Sequence, residues 1–167
     1  MEGSRPATVE DVPRIAELAE LGRHELVPMK GGALWAAREA VAEPFEDTYV
    51  ALVGRDDALV VVGTVDETVV GFGVVTLEPL RNGETLGRII DLFVEPGARA
   101  VGVGEAMAED LVAFCATRGC TGIDAIALPG HRATKNFFEE SGFTARALVM
   151  HRALDRREGQ SRLTEPR

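Results

Sequence analysis

The chain has 167 residues, of which 46% are apolar and 27% charged, and its formal net charge is −9. That is the composition of one ordinary globular domain, too apolar for a disordered chain and too polar for a membrane bundle. A chain this acidic is not built for general nucleic-acid binding, which depends on neutralising phosphates with Lys and Arg.

The longest purely aliphatic run, Leu59 to Val62, is far short of the ~20 residues a spanning helix needs. No secretory signal is expected at Met1 to Thr8, and the compartment expected is cytoplasmic. Cys115 and Cys120 are too few for a disulfide framework, lack a metal-ligand set, and are read as reduced. Domain organisation is expected to be a single domain over 1–153, followed by a polar, disordered tail over 154–167.

In chain order, Val12, Ile15, Leu18 and Leu21 form one apolar stripe, which predicts a helix over 9–21 with Thr8 as N-cap and Asp11 three residues on. Shorter helices are predicted over 33–41 and 45–53. Leu59–Val65 and Val69–Leu77, joined by Asp66-Glu67, read as a β-hairpin. Arg88–Val94 is a further strand, closed by Glu95-Pro96-Gly97. Val103–Arg118 is the strongest helix, with Val103, Met107, Leu111, Phe114 and Cys115 on one face and Gly119 behind it. A strand over 123–128, a helix over 132–141 and a last strand over 143–152 complete the pattern. A parallel crossover is required between 88–94 and 123–128.

The segment Val94 to Gly104, VEPGARAVGVG, carries the chemistry. A helix's first turn leaves about four N–H groups unpaired at the positive end of its dipole. Glycines at 102 and 104 would let an anion approach those groups, with Arg99 as a local cation. A dinucleotide fingerprint would need glycine where Met107 stands. A nucleotide-hydrolase loop would need Lys-Ser/Thr where Glu105-Ala106 stand. A glycine-rich turn with no ligand is the plain alternative.

Val94 followed five residues later by Arg99-Ala100-Val101-Gly102-Val103-Gly104, the later Phe138-Glu139-Glu140-Ser141-Gly142-Phe143, and Val69-Val70-Gly71-Phe72-Gly73 in the hairpin form a constellation. In these motifs, and over roughly Thr8 to Arg152, the chain resembles the GCN5-related N-acetyltransferase (GNAT) superfamily. The resemblance implies an α/β (α+β) fold. Its central sheet is mixed and mostly antiparallel, with helices on both faces and a splayed parallel strand pair. It implies acetyl-CoA as acyl donor and no metal. Backbone groups of Leu92, Phe93 and Val94 would hold the pantetheine, with the Val94 N–H as oxyanion donor. Amides from Ala100 through Val101, Gly102, Val103 and Gly104 to Glu105 would hold the diphosphate, with Arg99 beside them. Ala125 and Ala127 would leave room for the cofactor, and Asn136 and Phe138 would lie near it.

The implied reaction is transfer of acetyl to a primary amine by direct attack on the thioester. The acceptor is a small-molecule or protein amine, with neither nucleic acid nor membrane as partner. Homodimers are common in the family. Phe138 stands where the family often has an acid-donating Tyr, and His131 where it commonly has Asn. Candidates for proton transfer are therefore Asp91, Asp124 and His131, the two acids each within a strand, where a carboxylate is uncommon. Glu78 and Glu84 could line an acceptor pocket or a solvated loop. The only tyrosine, Tyr49, lies in the N-terminal helical region. The alternative function is a CoA-binding sensor or partner subunit with little or no turnover.

Overall fold

Alternation along one strand divides the core in two. In β2 (Ala58–Val65), Val60 and Val62 face one side of the sheet and Val61 the other, as a period of two requires. The computed structural model describes residues 1–154. The predicted polar tail, Leu154 apart, lies outside the described residues.

The sheet runs β1 (Glu2–Pro6), β2, β3 (Thr68–Pro79), β4 (Thr85–Val94) and β5 (Gly122–Ala125), in chain order. All pairings are antiparallel except β4 with β5. On one face, α1 (Val12–Leu26) and α3 (Phe45–Val53) bury Ile15, Leu18, Phe45, Tyr49 and Leu52 against Val60, Val62, Phe72 and Val74. On the other, α4 (Val103–Thr117) buries Val103, Met107 and Leu111 against Val61 and Val75. Phe138 of α5 (Arg132–Glu140) joins that second cluster. A short α2 (Gly32–Arg38) links α1 to α3. The mixed, mostly antiparallel sheet with helices on both faces is as expected from the sequence.

Local signals account for most boundaries. The Asp11 carboxylate accepts the Thr8 N–H at 2.8 Å and closes a capping box before α1, in a short 3₁₀ turn over Val9–Asp11. Asp66 and Glu67 both take left-handed backbone angles (φ 45° and 68°), as a tight hairpin turn demands. The helix α4 crosses close over that hairpin because Gly63 has no side chain. A Cβ there would stand 2.3 Å from Val103 Cγ1 and 2.9 Å from Met107 Sδ. Gly63→Ala is therefore expected to lower stability by about 2 kcal/mol, or several degrees of Tm in thermal unfolding, since neither neighbour is free to withdraw.

One strand is found that the sequence reading did not assign, and two expectations are corrected. The N-terminal Glu2–Pro6 is a strand, paired with β2 from Glu2↔Val65 to Pro6↔Val61. Its residues are polar and largely exposed, so they carry no alternation to read. The strand expected over 123–128 stops at Ala125. The last strand, expected over 143–152, does not form within the chain: beyond Gly142 no described residue belongs to a strand. A strand there needs a neighbouring edge, and among the described residues no segment pairs with it.

Candidate active site

Pairing between β4 and β5 runs from Leu86↔Gly122 to Ile89↔Ala125 and ends there. From Asp91 to Val94, β4 stays paired with β3 alone, through Asp91↔Val74, Leu92↔Gly73, Phe93↔Phe72 and Val94↔Gly71. One edge of Leu92–Val94 is thus left without a strand partner.

The parting coincides with an irregularity. The β3–β4 register shifts between Val74 and Val75, leaving Ile90 without an opposite residue. Two successive residues then face the same side: Ile90 packs into the α1–α3 cluster, and Asp91 meets Tyr49 of α3. Alternation resumes with Leu92 toward α4, Phe93 toward α1 and Val94 toward α4.

Asp91 is only partly accessible, and Tyr49 Oη donates to its Oδ2 at 2.8 Å. Burial pushes the Asp91 carboxyl up to about 7, against the opposing pull of the Tyr49 hydrogen bond and the Arg23 charge. The Tyr49 hydroxyl is pushed far above its ordinary value by burial and by the facing carboxylate, so it serves as a donor only. The Tyr49 ring is edge-on to Phe72 at 5.5 Å. Arg23 is held over the rings of Trp35 and Phe45, at 5.4 and 5.0 Å. Trp35 thus serves packing here.

At the far end of β4 the chain turns through Pro96–Ala98 into α4. Ala100 (φ 66°) and Gly102 (φ 87°) are both left-handed, and Gly102 is the N-cap. The first intrahelical bond is Ala106 N–H to Gly102 O at 3.1 Å, so the N–H groups of Val103, Gly104 and Glu105 precede it. Around Gly102 a Cβ would meet only Glu2 Cγ, at 3.7 Å. The demand for glycine there is one of backbone angle rather than of space. A Cβ on Gly104 would meet the Phe137 ring at 3.4 Å.

The structure separates the proton-transfer candidates. Asp91 lies at the parting of the strands. His131 lies at the start of α5, with Nδ1 2.5 Å from Thr134 Oγ1 and Nε2 3.7 Å from Glu25 Oε1. Glu25 in turn takes both Arg99 terminal nitrogens, at 3.0 and 2.6 Å. Arg99 also donates from Nε to Val94 O at 2.9 Å and covers the Phe93 ring. Three of its five N–H groups are thus engaged, and Glu25 offsets its charge. Asp124 lies on β5, where Arg146 grips its carboxylate, with an Nε–Oδ1 distance of 2.8 Å, and holds it below the usual carboxylate range.

Phe138 lies in the core. Its ring is buried among Phe137 and Phe143 and in the α4 core. The ring against the start of α4 is that of Phe137, one position earlier on the helix. Asn136 is exposed on α5. Glu78 faces Arg88 at 3.6 Å and Glu84 accepts from Asn82 in an exposed turn, which fits a solvated loop. Among the described residues, sequence reading missed Tyr49, Glu25 and Phe137 as neighbours of the site.

A mixed sheet that parts between two parallel strands, with an open helix N-terminus beside the parting, defines an acetyltransferase class of fold. The sequence matches the model of the Acetyltransferase (GNAT) family over residues 28–143, and the chain belongs to that family.

Solved structures similar to it include a tetramutant of the BH1408 protein from Bacillus halodurans, with 22% identity and TM-score 0.76, covering 90% of this chain and 99% of that one. An acetyltransferase from Trypanosoma brucei is 22% identical with TM-score 0.65, over 92% of this chain and 100% of that one. Glucosamine-6-phosphate N-acetyltransferase from Arabidopsis thaliana is 22% identical with TM-score 0.64, over 93% and 99%. At these identities the likeness is one of fold. None of the curated proteins compared with the chain is similar to it. No described helix is long and apolar enough to cross a membrane.

Proposed function

We propose that the protein transfers acetyl from acetyl-CoA to a primary amine. The observation that carries this reading is the bare edge of Leu92–Val94, set between a near-neutral carboxyl and the unpaired N–H groups of α4. These residues fit the donor. An extended strand edge suits the amide-bearing pantetheine arm, and an uncapped helix N-terminus with left-handed backbone ahead of it suits a diphosphate.

Acetyl-CoA would supply an acetyl group activated as a thioester. The chain's own part is to hold, orient and move protons. Backbone groups of Leu92–Val94 orient the arm, and the Val94 N–H is the donor proposed to face the carbonyl oxygen. An unperturbed Lys-type amine has a pKa of about 10.4 and must lose its proton before it attacks. Asp91 is the base proposed to take that proton, since a carboxyl near 7 is ionised in about half of the molecules at neutral pH. Tyr49 positions it and is not itself in the reaction. With Phe138 in the core, water is the proposed proton source for the leaving thiolate, which by analogy with cysteine is only modestly basic, at about 8.5. The acidic chain favours a cationic acceptor through steering.

The test is release of free thiol from acetyl-CoA over a panel of amines. Acceptor-dependent release is expected. Saturable CoA binding with no release from any amine would contradict turnover and favour a binding subunit.

A further inference from the structure

The helices α4 and α5 end alike. After α4, Gly119 takes a left-handed φ of 72° and its N–H donates to Ala116 O at 3.1 Å, while the Cys120 N–H donates to Cys115 O at 3.0 Å. After α5, Gly142 takes φ 89° and its N–H donates to Glu139 O at 3.1 Å, while the Phe143 N–H donates to Phe138 O at 2.9 Å. Both are the paired bonds of a Schellman cap, which folds the chain back so that a side chain beyond the helix meets one in its last turn. At α5 the two side chains that meet are Phe138 and Phe143, with ring centroids 5.1 Å apart. At α4 the same two places hold Cys115 and Cys120, the only cysteines in the chain.

The surroundings keep these two thiols together. Cys115 is buried with its Sγ laid on β4, so close that a Cβ on Gly87 would stand 2.4 Å from it. The Thr121 N–H donates to Thr85 O at 2.9 Å, which brings Cys120 to the same end of β4. There Cys120 packs against the cluster that contains Cys115. Burial, and after it the neighbouring Cys120, pushes the Cys115 thiol well above its ordinary value. Cys115 is thus held protonated and out of reach, while Cys120 is only half-buried.

We propose that Cys115 and Cys120 are a redox pair that closes to an intramolecular disulfide when a peroxide reaches Cys120. The Cys120 sulfur attacks the O–O bond, takes one oxygen as a sulfenic acid, and the other oxygen leaves as water with the thiol's proton. The Cys115 sulfur then attacks that of Cys120. An S–S bond forms, the S–O bond breaks, and hydroxide leaves with the Cys115 proton as a second water. Two thiols are oxidised and one peroxide is reduced. The bond ties the last turn of α4 to the entry of β5 and spares Cys120 from irreversible oxidation to sulfinic acid. The proposal does not depend on acetyl transfer.

Treating the folded full chain with hydrogen peroxide, then counting thiols and mapping tryptic peptides, tests it. Both thiols should disappear and return with dithiothreitol. Trypsin cuts at Arg118, between the two cysteines, so peptides 100–118 and 119–132 should stay joined until reduced. Cys120→Ser, a conservative change at a half-buried position, should leave the Cys115 thiol intact under the same treatment. Cys115→Ala should halt at a Cys120 sulfenic acid that dimedone traps. Thiols that survive peroxide in the unaltered chain overturn the proposal, as do these peptides joined only between two copies. So does Cys120 carried on to sulfinic acid with Cys115 still free.

Discussion

Asp91→Asn is expected to lower kcat/KM by about 10²- to 10⁴-fold, the usual worth of a positioned proton acceptor, and to remove the acidic limb of the rate profile. In the unaltered protein that limb should rise with pH and level off above about 7, because the carboxyl must be ionised to accept the ammonium proton. Tyr49→Phe keeps the ring edge-on to Phe72 and removes only the donor to Asp91 Oδ2. A hydrogen bond to a charged acceptor contributes about 1.5–3 kcal/mol, so the limb should move one to two pH units more alkaline.

Stability gives a readout independent of turnover. The folded carboxyl titrates above its unfolded value, so the folded state holds the proton more tightly. Stability present in full below about pH 4 is therefore lost as pH rises toward 7. Asp91→Asn should match the unaltered protein at pH 4 and exceed it at pH 8. A rate limb unchanged in Asp91→Asn would show that the base lies elsewhere, and His131, beside Glu25, is the next group to test.

Gly102→Val is expected to abolish the thermal stabilisation given by CoA and to cost about 1–3 kcal/mol of its own. The N-cap of α4 needs φ near +87°, and a β-branched residue resists that conformation even with open space around it. A backbone relaxed away from it turns the Val103–Glu105 amides off their common aim. Bound ligand at 100 times its Kd contributes about 2.7 kcal/mol of stability, a shift easily read by thermal unfolding. A folded Gly102→Val that still gains the full CoA shift would place the diphosphate elsewhere.

Much of the frame was legible in the sequence because it rests on local signals. The hairpin, α3 and α4 follow from alternation, turn residues and the glycine that ends a helix, and the glycine loop marks the N-terminus of α4. What could not be read depends on neighbours distant in the chain. Tyr49 and Asp91 are 42 positions apart, and only the bulge at Ile90 turns the carboxyl toward α3. Arg99 reads as a free cation until α1 brings Glu25 to it. Phe137 and Phe138 differ by one step on a helix, about 100° of rotation, which decides which ring meets Gly104 and which enters the core. β1 is polar and carries no periodicity. The segment over 143–152 is rich in apolar residues, but among the described residues no segment pairs with it.

The reading of the site rests on main-chain amides at the start of α4 and a bare strand edge holding coenzyme A. Calorimetric titration of the full chain with acetyl-CoA tests this most directly. Saturable uptake of one molecule per chain, lost in Gly102→Val, is predicted; an intact, folded protein that takes up none at millimolar concentration would contradict it.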